Sequence, residues 1–169
     1  FLVAFERDDT GTSPAKAIYA RRWLASTAQW EGTDALKISG GSATTASPAL
    51  AYAQPQVAMT TGGRAVILFR QDDDRPLLDT VNLQAVAYDP AQPTPFASAV
   101  TVDNGDGSVS HGLDVVAGAY LAAVRGSDGE GAIFFVQDAD PTSASRPRLY
   151  ALRVHLASIG TGWAVFDGT

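Results

Sequence analysis

RAVILFRQDDD, at residues 64–74, is an apolar run closed by acidic residues, and the chain contains it three times. FLVAFERDD opens the sequence at 1–9 and GAIFFVQDAD occupies 131–140. Each run is followed, after a polar loop, by a second strand-like segment: IYARRW at 18–23, NLQAVAY at 82–88 and RLYALRV at 148–154. Phe5, Phe69 and Phe135 stand 64 and 66 residues apart, and Ala20, Ala85 and Ala151 stand 65 and 66 apart. A unit of regular length is an architecture, because each copy is a supersecondary block that buries its faces against its neighbours.

Short runs rich in Val, Ile, Leu, Phe and Tyr, bounded by Gly, Pro, Asp, Asn and Ser, read as strands. They fall at 1–7, 17–24, 35–39, 55–60, 64–71, 81–89, 97–103, 112–117, 119–125, 131–138, 148–156 and 163–167. No segment offers three helical turns with apolar residues at i, i+3, i+4 and i+7. The nearest, 47–58, is interrupted by Pro48 and Pro55 and reads as a loop leading into a strand.

FLVAF, AVILF and AYLAAV are apolar on both faces, as strands covered on two sides must be. ALKIS and ASAVTV dilute their apolar residues, as an edge strand in water does. A four-stranded antiparallel sheet with inner strands between neighbouring sheets and a wetter outer strand fits that gradient, and such a sheet is a propeller blade. The fold expected is therefore all-β: an incomplete β-propeller, with a β-sandwich as the alternative.

Residues 1–39 would supply the last three strands of one blade, and 55–103 a complete blade. For the third unit, GAIFFVQDAD matches either AVILFRQDDD or NLQAVAYDP. The second match lets 112–117, 119–125, 131–138 and 148–156 form one complete blade, residues 112–156, and is preferred on packing. Residues 163–169 would then open a further blade. Phe1 already lies inside a strand pattern and the stretch from Trp163 looks like a strand beginning, so both ends are expected to continue.

PQVAMTTGGRAVILF at 55–69 followed by NLQAVAY at 82–88 resembles the repeats of bacterial secreted and surface-anchored β-propeller proteins, with Gly62–Gly63 as the hairpin turn. The resemblance implies the fold and an exported setting: extracellular, cell-surface or periplasmic. It brings no catalytic residues with it.

Composition narrows the partners. At 169 residues, with 46% hydrophobic and 18% charged residues, the chain can build one sizeable core. A net charge of −6, and no basic run longer than Arg21–Arg22, argue against nucleic acid, which demands clustered Lys and Arg. The absence of cysteine removes disulfides, thiolate catalysis and zinc–thiolate sites. No stretch approaches the roughly 20 apolar residues of a spanning helix. The partners expected are the rest of a longer polypeptide or another chain, meeting open blade edges, and a glycan.

Candidate chemistry is sparse. Asp8 and Asp9, Asp72, Asp73 and Asp74, and Asp128 would lie in equivalent loop tips, where carboxylates can hold a divalent cation such as calcium. Asp is also a good turn residue that satisfies the local backbone, and that reading is preferred. DNGDGS at 103–108 fails the spacing of a calcium loop, because Val109 stands where glycine is required. His111 and His155 have no spacing that pairs them, and SVSHG at 108–112 lacks the first glycine of a nucleophile elbow.

Trp23, Trp30, Phe96 and Trp163 fall near strand ends, where rings can stack on sugars or hold peptides. Trp30, Phe96 and Trp163 also occupy comparable places in their units, so a repeated structural plug is the preferred reading. Together these features favour a non-catalytic binding or scaffolding module. The alternative is the propeller portion of a glycan-active enzyme, a glycoside hydrolase or lyase, whose paired carboxylates would lie elsewhere.

Overall fold

A computed structural model describes residues 1–8, 16–39, 51–72, 81–102, 115–126, 129–138 and 147–156, with the backbone alone at 51, 52, 72, 115–119 and 138. The described residues are all-β, with antiparallel pairing throughout and only a single 3₁₀ position, at Leu156. No helix among them is long and apolar enough to cross a membrane.

Three open sheets form in chain order. In the first, β1 (Leu2–Asp8) pairs β2 (Lys16–Leu24), and the free edge of β2 takes two short strands, β3 (Gln29–Trp30) and β4 (Leu36–Lys37). The second runs in the order β5 (Ala51–Met59), β6 (Ala65–Asp72), β7 (Val81–Tyr88), β8 (Val100–Thr101). The third places β10 (Glu130–Asp138) between β9 (Val115–Arg125) and β11 (Pro147–His155). The segments with diluted apolar residues supply the two-residue edge strands β4 and β8, since few side chains there gain by burial.

The second sheet is the filling. Ala65 to Phe69 and Leu83 to Tyr88 are buried at every position, so both faces are dry. One face carries Ala65, Ile67, Phe69, Val86 and Tyr88 and packs on Leu2, Ile18, Ala20 and Ile38 of the first sheet. The other face carries Val66, Leu68, Leu83, Ala85 and Ala87 and packs on Tyr120, Ile133, Phe135, Val154 and Leu156 of the third.

These two interfaces are the same interface used twice. The repeat offset carries Leu2, Ala4, Ile18 and Ala20 onto Val66, Leu68, Leu83 and Ala85. It likewise carries Ile67, Phe69 and Val86 onto Ile133, Phe135 and Leu152. The second sheet therefore turns one kind of face towards the third sheet and the other kind towards the first.

Tight hairpins hold the register. Thr60 closes the β5–β6 turn with its amide donating to the Arg64 carbonyl at 2.8 Å, while Gly63 adopts φ +85°. Gly129, 66 residues on, turns the β9–β10 hairpin at φ +82°. A left-handed φ there is nearly free for glycine and strained for other residues. A residue just beyond the third strand of each unit, 66 apart in sequence, lies over its glycine: a Cβ on Gly63 would stand 3.6 Å from Pro90, and one on Gly129 only 2.6 Å from Leu156.

Several expectations need correcting. Residues 115–125 form one strand where 112–117 and 119–125 were expected as two, because Gly118 sits inside the strand and not at a turn. β10 is thus the second strand of its sheet, as β6 is, so GAIFFVQDAD corresponds to AVILFRQDDD and the preferred match to NLQAVAYDP falls. β5 begins at Ala51 and passes Pro55 through a bulge between Ala53 and Gln56, which absorbs the missing amide. Phe5 and Leu121, expected in the core, are 36% and 50% exposed because they lie on the outward faces of the first and third sheets. The segment 163–169 lies outside the described residues.

Candidate functional site

The acidic tips offer little geometry. Asp8 ends β1, exposed, in register with Lys16. The Lys16 ammonium donates to Glu6 at 3.0 Å, and its pKa is raised first by that carboxylate and further by Asp8. A cation of the chain itself thus already stands at that end of the strand. Asp72 is described as backbone only, and Asp9, Asp73, Asp74 and Asp128 lie outside the described residues, as do the 103–108 loop, His111 and Trp163. Among the described residues no group of three or more His, Asp or Glu side chains gathers.

His155, at the end of β11, faces Glu130 across the ladder, and Glu130 is held by Arg153 at 2.7 Å. The arrangement is that of a strand-end ion pair.

The aromatic residues do converge. Trp23 and Trp30 face each other across the β2–β3 bridge, their rings 5.3 Å apart and nearly perpendicular. The Phe1 ring stacks on Trp23 at 5.8 Å, and the Arg21 guanidinium lies over Trp30 at 5.5 Å. Edge-to-face and offset pairs of this kind each add about 1 kcal/mol to the area they bury.

Tyr88, the counterpart of Trp23 65 residues on, forms the equivalent bridge with Phe96, their rings 4.8 Å apart. Two units therefore carry the same device, a ring pair closing the last hairpin of the sheet. Phe96 packs against the core between the first and second sheets, as a plug would, whereas Trp30 is 36% exposed and closes its hairpin from outside the core.

Between the two ring pairs, where the first and second sheets meet, lies an open cleft of about 220 Å³. Phe1, Trp23, Arg22, Met59, Tyr88 and Pro90 contribute its principal walls. Arg22 is drawn towards Glu31 at 3.5 Å. Tyr88 is buried to 1%, and its hydroxyl, close enough to feel the Arg22 charge, makes no well-formed hydrogen bond. Burial raises the phenol pKa, and Arg22 opposes the rise. Rings, one guanidinium and one phenol are the chemistry of stacking and hydrogen bonding.

The turn that brings Pro90 to the cleft is pinned by hydrogen bonds. Asp89 accepts from the Ala91 amide at 3.0 Å and from Arg64 Nε at 3.2 Å, locking the turn after β7. The Ala91 amide is the chief reason the Asp89 carboxyl lies below its ordinary pKa, with Arg64 assisting against burial. Trp23 and Trp30 were visible in the sequence as candidates. Arg22, Met59 and Tyr88 were not, although the 65-residue offset between Trp23 and Tyr88 was the signal that could have found them.

Neither the comparison with protein-family models nor that with curated proteins gave a match.

Proposed function

We propose that the chain supplies successive sheets of a β-propeller that serves as a non-catalytic binding or scaffolding module in an exported or cell-surface protein. The observation that carries this reading is the repeated use of one interface. The face of the first sheet that meets the second is the repeat counterpart of the face of the second that meets the third. Sheets related in this sequential way are the building rule of a propeller. A two-layer sandwich instead turns like faces inward against each other and leaves each sheet one wet side.

The binding part of the proposal rests on the cleft beside Trp23. Its aromatic wall and guanidinium suit a sugar ring or a peptide side chain. Two of the chain's three tryptophans are Trp23 and Trp30, so emission reports on this end of the molecule. Titration with oligosaccharides and short peptides should give saturable changes in emission that Arg22→Ala weakens, with the added compound recovered unchanged. Cleavage of any of those glycans by the purified chain would contradict the proposal.

A further inference from the structure

We infer that the cleft between the first and second sheets holds the C-terminal carboxylate of a peptide whose last residue is large and apolar, with Arg22 as the contact for the carboxylate. The inference rests on the binding reading of this cleft given above and names what fills it.

The chain departs from its own repeat at this place. The repeat offset carries Arg22 onto Ala87, and Tyr88 and Pro90 onto Val154 and Leu156. Where the second and third sheets meet, those three counterparts lie buried in one apolar cluster. Where the first and second meet, the same positions place a guanidinium and a phenol beside open space. Exchanging a dry contact of alanine and valine for two polar groups and a cleft gives up packing, and such breaks in an otherwise consistent pattern mark sites of function.

The polar groups define the ligand. Among the described residues, the N–H and O–H groups on side chains lining the cleft belong to Arg22, Trp23, Ser26 and Tyr88, and no carboxylate lies among them. The Tyr88 hydroxyl is buried near Arg22 and lacks a well-formed acceptor. Burial raises its pKa, so it stays a donor at neutral pH. A carboxylate on Arg22 supplies that acceptor, and one guanidinium balances one negative charge. Glu31, 3.5 Å from Arg22 and half exposed, is the weak partner that the ligand displaces.

The walls decide the source. Leu24, Met59 and Pro90 give apolar surface around about 220 Å³, room for one large residue and too little for a drug-sized molecule. A C-terminal residue brings an apolar side chain and a carboxylate together on one Cα. An Asp or Glu side chain spends its length on the carboxylate and leaves those walls bare. A uronic acid ring would bury several hydroxyls against them without partners. A polyanionic glycan would also meet a chain of net charge −6.

Calorimetric and tryptophan-emission titrations at pH 7, in about 50 mM salt, compare an N-acetylated tetrapeptide ending in phenylalanine with the same peptide as its C-terminal amide. The free acid should bind with a Kd on the order of 1 mM or tighter, and at least about tenfold more tightly than the amide. Arg22→Ala should erase that preference with the melting temperature kept. Glu31→Gln, which removes the competing charge, should raise affinity for the acid about threefold and leave that for the amide unchanged. Equal binding of acid and amide overturns the inference, as does a preference that survives Arg22→Ala or does not respond to Glu31→Gln. A uronic acid oligosaccharide that binds more tightly than the peptide acid overturns it in favour of an acidic glycan. Each of these results leaves the cleft a binding site. Absence of saturable binding by acid, amide and oligosaccharide alike removes that reading itself, and the inference falls with it.

Discussion

The backbone amide of Gln54 donates to Glu6 Oε1 at 2.8 Å and ties the bulge of β5 to the middle of β1. The same residue, at φ +56°, turns its carbonyl to the other side, where the Tyr120 hydroxyl donates to it. One residue of the second sheet therefore carries a hydrogen bond to the first and another to the third. The bulge exists because Pro55 cannot donate to the ladder. Its cost is offset by the two contacts it aims outward.

Glu6 should govern the acid limb of stability. The Gln54 amide, and then Lys16, hold its carboxyl below the ordinary value of 4.5. A depressed carboxyl stabilises the fold above its unfolded pKa and loses that contribution as pH falls through the folded value. Glu6→Gln should flatten the decline of stability below about pH 4.5 and Glu6→Ala should cost about 1–2 kcal/mol at pH 7. Urea melts between pH 2.5 and 7 measure both. An acid limb unchanged in Glu6→Gln contradicts the assignment.

Tyr120 should titrate late. Burial pushes its phenol up to about 12, with Arg70 opposing. Its pKa is raised in the folded state, so its contribution is whole below the unfolded value of about 10 and is lost as pH rises from there towards 12. Ultraviolet difference spectra should show Tyr88 and Tyr120 missing from the tyrosines that ionise near pH 10 in the folded chain, and Tyr120→Phe should remove the step near 12 at a cost of about 1 kcal/mol.

The two turn glycines should separate cleanly. Gly63→Ala meets Pro90 at ordinary contact distance, so only the left-handed φ is charged against it, about 1–2 kcal/mol. Gly129→Ala carries the same φ term and drives its Cβ to 2.6 Å from Leu156, adding about 1–3 kcal/mol of overpacking. Thermal melts should rank Gly129→Ala well below Gly63→Ala, and equal losses would place the clash elsewhere.

Tyr88→Phe should be neutral or stabilising, by up to about 1 kcal/mol, because it removes a buried hydroxyl that has no well-formed partner. A loss above about 1 kcal/mol would show that Arg22 satisfies the hydroxyl in solution.

Much of this architecture was legible in the chain. AVILF read as an interior strand, because apolar residues on both pleat faces need two neighbours, and the structure buries it on both. FLVAF and AYLAAV carry the same pattern, and there it misled: the local sequence reads alike whether the second neighbour is present, as for Phe69, or not, as for Phe5. The Gln54 junction was hidden because a bulge is decided by how β5 meets β6, not by residue type. The cleft was half visible. The tryptophans announced themselves, while Arg22 and Tyr88 gain their place only when the first and second sheets pack together.

Native-state hydrogen exchange is the most direct measurement of the central claim, that the second sheet is enclosed by two sheets related to it by the repeat. Amides of Ala65 to Phe69 and Leu83 to Tyr88 should exchange slowest in the molecule, near the rate set by global unfolding. Amides of β1 and β11, on sheets with one open face, should exchange through smaller openings and at least tenfold faster, about 1.4 kcal/mol less protected. Protection of β1 or β11 equal to or greater than that of β6 and β7 would contradict the account.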